Sequence, residues 1–124
     1  MDKNEKTYDL EERTLRFSKN IVHFCRSIKQ NSVTNPLIIQ LVRSGTSIGA
    51  NYMEANGASS SKDFKNKIHI CKKEAQETKY WLKILESSIP EREEDIKKLW
   101  NEVNELSMIF GKIVGTMNKG MEKR

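Results

Sequence analysis

The sequence predicts an all-α fold, an up-down-up-down four-helix bundle forming one domain over residues 1–124. Three observations support this fold class. Apolar residues recur at the 3.6-residue helical period in four long segments. The stretches between these segments are short and rich in Asn, Ser, Gly or Pro, which is typical of turns. No segment shows the alternation of apolar and polar residues that indicates a strand.

The first helix is predicted over residues 10–30. Asp9 is the expected N-cap, and Glu11 and Glu12 favour the positive end of the helix dipole. Its predicted core face consists of Leu10, Thr14, Phe17, Ile21, Phe24, Cys25 and Ile28.

The second helix is predicted over residues 36–57. Asn35 is the expected cap, and Pro36 suits the first helical position because that position needs no backbone N–H donor. Its predicted apolar surface is unusually wide and consists of Leu37, Leu41, Ile48, Tyr52 and Ala55, extended by Ile38, Val42, Gly49 and Met53.

The third helix is predicted over residues 62–87 and the fourth over residues 91–119. Ser60 or Ser61 caps the third, and Pro90 ends it because a proline disfavours the helical conformation of the preceding residue. Acidic residues open the fourth helix and favour its N-terminal dipole. The predicted core faces are Phe64, Ile68, Cys71, Ala75, Thr78, Leu82 and Leu85 in the third helix, and Ile96, Leu99, Trp100, Val103, Leu106, Phe110, Ile113, Val114 and Met117 in the fourth.

The wide apolar surface of the second helix indicates that it contacts more than one neighbour. Gly45 and Gly49 lie within it, although each glycine costs a helix about 1 kcal/mol relative to alanine. We therefore predict that they permit close helix packing at an interface with another subunit, where Ile70 and Trp81, both off the core face, also contribute. The alternative is that the glycines only relieve crowding inside one chain.

A polar stripe also follows the second helix and faces the third. Folding the two helices back around Ser59 places Arg43 near Glu77 and Glu74, Ser47 near Lys72, and Glu54 near Lys65. This predicted polar seam consists of Arg43, Ser47, Asn51, Glu54, Glu74 and Glu77. An ordinary solvated surface explains the same stripe about equally well.

The third helix carries a lysine face, which we define as Lys62, Lys65, Lys72, Lys73, Lys79 and Lys83. These six residues fall within an arc of about 120° at 100° per residue, and the arc contains no acidic residue. Such a pattern is typical of a surface that binds nucleic-acid phosphates, and the chain has a formal net charge of +5. The alternative is a solvated lysine-rich surface with no ligand.

Several function classes are not supported by the sequence. No Glu lies three residues before His23 or His69, so the paired motif of di-metal bundles is missing, and we predict neither a metal nor a cofactor. Phosphate-binding loops and nucleophile elbows are also absent. Cys25 and Cys71 lie on core faces and are expected to be free thiols rather than a disulfide. The chain has no apolar run long enough to span a membrane and begins without an apolar signal segment, so we expect a cytoplasmic protein.

One enzyme alternative is weakly supported. Arg16 and His23 lie seven residues apart on one face of the first helix, which resembles the Arg-x4-6-His motif of HEPN ribonucleases. Phe17 follows the arginine, where that motif usually has a polar residue, and the helix is not the expected one. We therefore predict that the chain is not an enzyme.

The stretches RSGTSIGANYMEA (43–55) and SKDFKNKIHICKKEAQETKYWLKIL (61–85), with DLEERTLRF near the start, resemble the bacterial four-helix-bundle family of 23S rRNA intervening sequences. The related accessory proteins of diversity-generating retroelements share this fold. The resemblance implies side-by-side assembly into a homo-oligomeric ring, typically a pentamer, and association with RNA or DNA. It also implies that the seam residues and Trp81 are signature positions, and it supplies no catalytic residue to transfer.

These observations lead to one leading hypothesis, a non-enzymatic, ring-forming bundle that binds nucleic acid through its lysine face. The alternative is a protein–protein scaffold or an accessory subunit, for example of a reverse transcriptase, whose lysines only increase solubility.

Overall fold

The computed structural model describes residues 9–122, with side chains described through residue 120. Within this range all regular structure is helical. A single 3-10 turn, Pro90–Arg92, joins the last two of four α-helices, which are α1 (Leu10–Arg26), α2 (Thr34–Asn56), α3 (Ser61–Ser88) and α4 (Glu93–Glu122). The predicted all-α four-helix bundle is confirmed.

Consecutive helices are neighbours in the bundle. α2 packs extensively against both α1 and α3, and α3 packs against α4, whereas the contact between α1 and α4 is much smaller. Because the helices follow one another around the bundle, the outer surface shared by α1 and α2 lies opposite the outer surface shared by α3 and α4. This arrangement decides which side of each helix remains accessible.

The core follows the predicted apolar faces closely. All seven residues predicted for α1 are buried, and so are six of the seven predicted for α3. The exceptions in α3 and α4 lie near the edges of the core and are only partly buried, namely Phe64, Trp100, Ile113 and Met117. Of the wide apolar surface predicted for α2, Leu37, Ile38 and Val42 are partly buried and Met53 is exposed. The buried Thr78 hydroxyl bonds Ser44 Oγ at 3.0 Å and donates to the Glu74 carbonyl at 2.7 Å, so this polar pair is satisfied inside the core.

The turn between α1 and α2 differs from its prediction. α1 ends at Arg26 rather than at residue 30, and Ser27 bonds back to the carbonyl of Phe24 through both its N–H and its hydroxyl. α2 begins at Thr34 rather than at residue 36. Asn31, not Asn35, stabilises its start, because Asn31 Oδ1 accepts hydrogen bonds from the N–H groups of Val33 and Thr34 at 2.9 Å.

The other helix starts show one expected cap and one difference. Ser60 caps α3, because its hydroxyl accepts a hydrogen bond from the Asp63 N–H at 3.0 Å. Asp9 makes no side-chain cap bond to α1, although its carbonyl accepts from Arg13 N–H at 3.0 Å. The regular part of α4 begins at Glu93 rather than at residue 91, since Pro90 starts the intervening 3-10 turn.

The two glycines of α2 lie directly against residues of α1. A Cβ added at Gly45 would lie 3.0 Å from Cγ1 of Ile21, and one added at Gly49 would lie 3.2 Å from Oγ1 of Thr14. The close approach therefore occurs between two helices of one chain. This corrects the expectation that Gly45 and Gly49 face another subunit, and the wide apolar surface of α2 is explained in part by its contact with α1.

Candidate nucleic-acid interface

The polar seam contains a charged network between α2 and α3. The Arg43 guanidinium donates to Glu77 Oε2 and, at 3.3 Å, to Glu74 Oε1. The indole N–H of Trp81 donates to the same Glu77 oxygen at 3.2 Å. The predicted pairing of Arg43 with Glu77 and Glu74 is thus present, at the partly exposed edge of the bundle.

The rest of the seam is arranged differently from the prediction. The Ser47 hydroxyl donates to the Arg43 carbonyl at 2.7 Å, and the Asn51 amide donates to the Ser47 carbonyl at 2.8 Å, so both side chains bond within α2. Glu54 accepts a hydrogen bond from Lys67 at 2.8 Å. Lys67 and Glu74 of α3, which bond Glu54 and Arg43 of α2, lie seven positions apart.

Lys65, Lys72 and Lys79 form a parallel row displaced by two residues, which places them on the α4 side of α3. Lys72 approaches α4 directly, because a Cβ added at Gly111 would lie 3.9 Å from its Nζ. This placement corrects the predicted proximity of Ser47 to Lys72. It is also why the bond that Glu54 accepts comes from Lys67 instead of the predicted Lys65.

The lysine face consequently has two parts. Lys62 and Lys73 are exposed on the outer side of α3. Lys65, Lys72, Lys79 and Lys83 line the boundary with α4, over a distance of about 27 Å at 1.5 Å per residue. Seven residues separate each of the first three, which corresponds to about 10.5 Å. The result is a straight row of cations along a groove rather than a scattered charge.

The aromatic ring of Trp100, from α4, lies in this groove. The Nζ atoms of Lys79 and Lys83 are 5.2 Å and 5.3 Å from its ring centroid, close enough for cation–π interactions. Lys79 also donates to Asn104 Oδ1 at 2.9 Å. The sequence pattern placed Trp100 on the core face and did not connect it with the lysines.

A surface depression of about 220 Å³ adjoins the Trp100 ring. It is lined by side chains of both helices, namely Lys83, Glu86, Ile96, Lys97, Trp100 and Asn101. Lys97 adds a cation from α4 to those of α3. Its ammonium bonds Glu93 at 2.6 Å, and this hydrogen bond raises the pKa of Lys97 and lowers that of Glu93.

The opposite side of the bundle has a different chemical character. Leu15 on α1 is 53% exposed, and Ile39 and Met53 on α2 are 66% and 63% exposed. Val22 lies seven residues after Leu15 on α1, and the partly buried Val42 lies three residues after Ile39 on α2, so each is on the same side of its helix as that neighbour. We call this group, Leu15, Val22, Ile39, Val42 and Met53, the apolar face.

The remaining predicted positions are the two interface candidates on α3 and the Arg–His pair on α1. Ile70 and Trp81 of α3 are both partly buried, and the Trp81 ring meets Tyr80 edge-on, with 5.1 Å between centroids. Arg16 is paired with Glu12 at 3.4 Å within α1, and His23 is exposed. Neither belongs to a buried catalytic arrangement in the described structure.

The cysteines are free and buried, as predicted for core thiols. Burial raises the pKa of the Cys25 thiol to about 11 and that of Cys71 to about 12, so both are protonated at neutral pH.

Among the described residues, no group of His, Cys, Asp and Glu is arranged to hold a metal ion. None of the described helices combines the length and the apolar character needed to cross a membrane.

Comparison with known proteins identifies the family. The model described as "23S rRNA-intervening sequence protein" matches residues 6–112, most of the chain. The chain belongs to this family. A crystal structure from Bacteroides thetaiotaomicron, described as a protein of unknown function from the S23 ribosomal protein family, is similar to this family member: the identity is 34% and the TM-score 0.75, over 84% of this chain and 96% of that one. No protein of curated function matches the chain in sequence.

Proposed function

We propose that this family member is a non-enzymatic nucleic-acid-binding protein whose lysine face contacts phosphates of RNA or DNA. The observation that carries the proposal is the row of Lys65, Lys72, Lys79 and Lys83 along the groove between α3 and α4. Lysine ammoniums neutralise phosphates without reading bases, so the binding should be strong and largely independent of sequence. The family description, which refers to 23S rRNA intervening sequences, supports RNA as the first ligand to test.

The groove is not purely basic, and its acidic members limit the number of available cations. Glu86 lies 3.6 Å from Lys83, and Glu93 is bonded to Lys97. Lys83 and both members of the Lys97–Glu93 pair are exposed to solvent, so water and salt screen these ion pairs and keep them weak. A phosphate can therefore compete for these lysines at low salt.

The test is the salt dependence of RNA binding. Each phosphate contacted should add about 0.7 to the log–log salt slope for single strands and about 0.9 for duplex. Changing the four lysines of the row to Gln should reduce the slope by about 3 to 4 units and leave helicity unchanged.

The matched control changes Lys19, Lys29, Lys98 and Lys119 to Gln, all exposed and outside the lysine face. It removes the same net charge and should retain most of the slope. Equal slopes for the two variants would contradict the proposal and favour the scaffold alternative, and absence of salt-sensitive binding by the wild-type protein would refute it outright.

We further propose that the apolar face mediates self-association into a homo-oligomeric ring. Several large, exposed apolar side chains on one side of a molecule are characteristic of interaction sites. Ile70 and Trp81, at the opposite edge of α2 and α3, are candidates for a second contact surface, as a ring requires. The resemblance to pentameric relatives favours five chains of 14.4 kDa each.

Light scattering tests this assembly. Ile39→Asp together with Met53→Asp should convert the oligomer to monomers, because two carboxylates would have to be buried in an apolar contact. Met108→Asp is the matched control, since Met108 is also 63% exposed but lies on α4. A monomeric wild-type protein would refute the proposal. An oligomer that persists in the double variant would remove the apolar face from the interface.

Two alternatives have distinct signatures. An accessory subunit of another protein, such as a reverse transcriptase, would use the apolar face while the lysine substitutions have no effect. The ribonuclease alternative requires RNA cleavage that is lost in His23→Ala. We expect intact RNA after incubation with the wild-type protein.

A further inference from the structure

The groove between α3 and α4 combines cations with an accessible aromatic ring. We infer that the ligand of the lysine face is a single-stranded nucleic acid, with one base stacked on Trp100 in the adjoining depression. This inference rests on the proposed nucleic-acid-binding function and specifies the form of the ligand and one contact. Basic grooves that follow a backbone, with aromatic rings for the bases, are the common design of single-strand-binding surfaces.

The lining of the depression matches a base better than any other part of a nucleotide. Its apolar part is the Trp100 ring and Ile96, which is almost fully buried. Polar groups of Asn101 and Glu86 lie around it. A nucleobase is flat, has apolar faces and carries hydrogen-bonding groups only at its edge, so it can satisfy both kinds of lining at once.

The charges around the depression determine whether the base or the phosphate of a nucleotide occupies it. A phosphate placed in the depression would approach the Glu86 carboxylate, whereas the exocyclic amino group of a base can donate a hydrogen bond to it. The cations Lys79, Lys83 and Lys97 surround the ring from both helices. The geometry therefore favours the base inside and the phosphates outside, on these lysines.

The two ammoniums above Trp100 do not prevent stacking. An exposed cation–π contact contributes roughly 2- to 5-fold to an equilibrium, whereas stacking of a base on an aromatic side chain contributes roughly 5- to 150-fold. Lysine side chains are flexible, and each displaced ammonium gains a phosphate of the incoming strand. Replacement of the ammoniums by a base is therefore favourable.

A single strand fits this site better than a duplex. In a duplex each base is stacked and paired, so extruding one base has an unfavourable free energy that must be offset by the new contacts. In a single strand the base faces are already accessible. Preference for single strands should therefore depend on the Trp100 ring, while the general affinity for phosphate should depend on the lysines.

The test compares binding of a single-stranded RNA of roughly ten nucleotides with binding of its duplex, at matched salt. Trp100→Leu should weaken single-strand binding by about 5- to 150-fold and duplex binding much less. Trp100→Phe should restore a large part of the affinity because it keeps a ring. Tyr80→Leu is the matched control, since Tyr80 is an exposed aromatic residue on the outer side of α3, away from the depression.

Fluorescence provides a second readout that does not depend on replacing Trp100. The chain has two tryptophans, so Trp81→Phe leaves Trp100 as the only reporter. Single-stranded RNA should quench its emission, and the duplex should quench it little. Quenching by both forms alike, or single-strand affinity that is unchanged in Trp100→Leu or lost instead in Tyr80→Leu, would overturn the inference.

Failure of the inference is distinguishable from failure of the proposed function. Salt-sensitive binding of strand and duplex with equal affinity would leave the lysine face as a phosphate-binding surface and remove only the Trp100 contact. Absence of any salt-sensitive binding would refute both.

Discussion

Replacing Gly45 with alanine separates helix propensity from packing at the contact between α1 and α2. Alanine is more favourable than glycine in a helix by about 1 kcal/mol. The added Cβ, however, would lie 3.0 Å and 3.1 Å from the two γ carbons of Ile21. Ile21 is fully buried and branched at Cβ, so its side chain cannot rotate away without disturbing the core. Overpacking of this kind costs about 1 to 3 kcal/mol.

The net effect of Gly45→Ala should therefore be a loss of about 0 to 2 kcal/mol in unfolding free energy. Gly115→Ala is the matched control, because an added Cβ at this position in α4 meets no atom within 4 Å. It should increase stability by about 0.4 to 1 kcal/mol. The difference between the two variants isolates the packing cost.

Thermal unfolding followed by circular dichroism measures both variants at one protein concentration. For a chain of this length, 1 kcal/mol corresponds to a change of about 4 °C in Tm. Gly45→Ala should thus unfold about 2 to 12 °C below Gly115→Ala. If Gly45→Ala raised Tm as much as Gly115→Ala does, the close contact with Ile21 would not be the reason for glycine at this position.

Two further predictions concern side chains with defined partners. Arg13→Ala should cost about 1 to 3 kcal/mol, because the Arg13 guanidinium bonds Glu102 twice, at 2.8 Å and 2.9 Å, and its side chain is only 21% exposed. Arg43→Ala should cost about 0 to 1 kcal/mol because that side chain is 47% exposed, and urea unfolding that gave the reverse order would contradict this reasoning. Since burial raises the pKa of Cys25 to about 11 and that of Cys71 to about 12, a thiol reagent near neutral pH should label neither in the folded protein; labelling as fast as in urea would refute it.

The fold could be predicted because the apolar period is strong in every helix, and the residues predicted for the core of α1 are all buried. The helix ends were predicted less well. Asn31 and Thr34 fix the start of α2 by exchanging hydrogen bonds, with Asn31 N–H to Thr34 Oγ1 at 3.1 Å and Thr34 N–H to Asn31 Oδ1 at 2.9 Å. Several polar residues of the turn could have served as the cap, and sequence preference alone favoured the Asn-Pro pair instead.

The candidate site could be predicted only where two helices have a fixed register. An antiparallel hairpin with a short turn determines which residues oppose each other, and this is why the pairing of Arg43 with Glu77 was found. A helical wheel of α3 does not reveal which side faces α2 and which faces α4. The lysine face consequently looked uniform in the sequence, although Lys79 and Lys83 contact Trp100 and Lys73 does not. Trp100 was assigned to the core because the periodicity of α4 cannot distinguish a ring at the edge of the core from one inside it.

The two faces of the bundle make the two proposed activities compatible. The proposed ring would use the apolar face of α1 and α2, with Ile70 and Trp81 of α3 as candidates for its second contact, whereas the basic groove lies between α3 and α4. A ring built through these surfaces would leave the groove of each subunit open, so that a strand long enough to reach several subunits would bind each further groove as an intramolecular event. For a long RNA, the salt slope of the wild-type protein should then be larger than that of the monomeric Ile39→Asp, Met53→Asp variant. The expected factor is roughly the number of subunits that one strand contacts. If the slopes for a long RNA were equal in both proteins, the ring would not contribute to binding and the two faces would act independently.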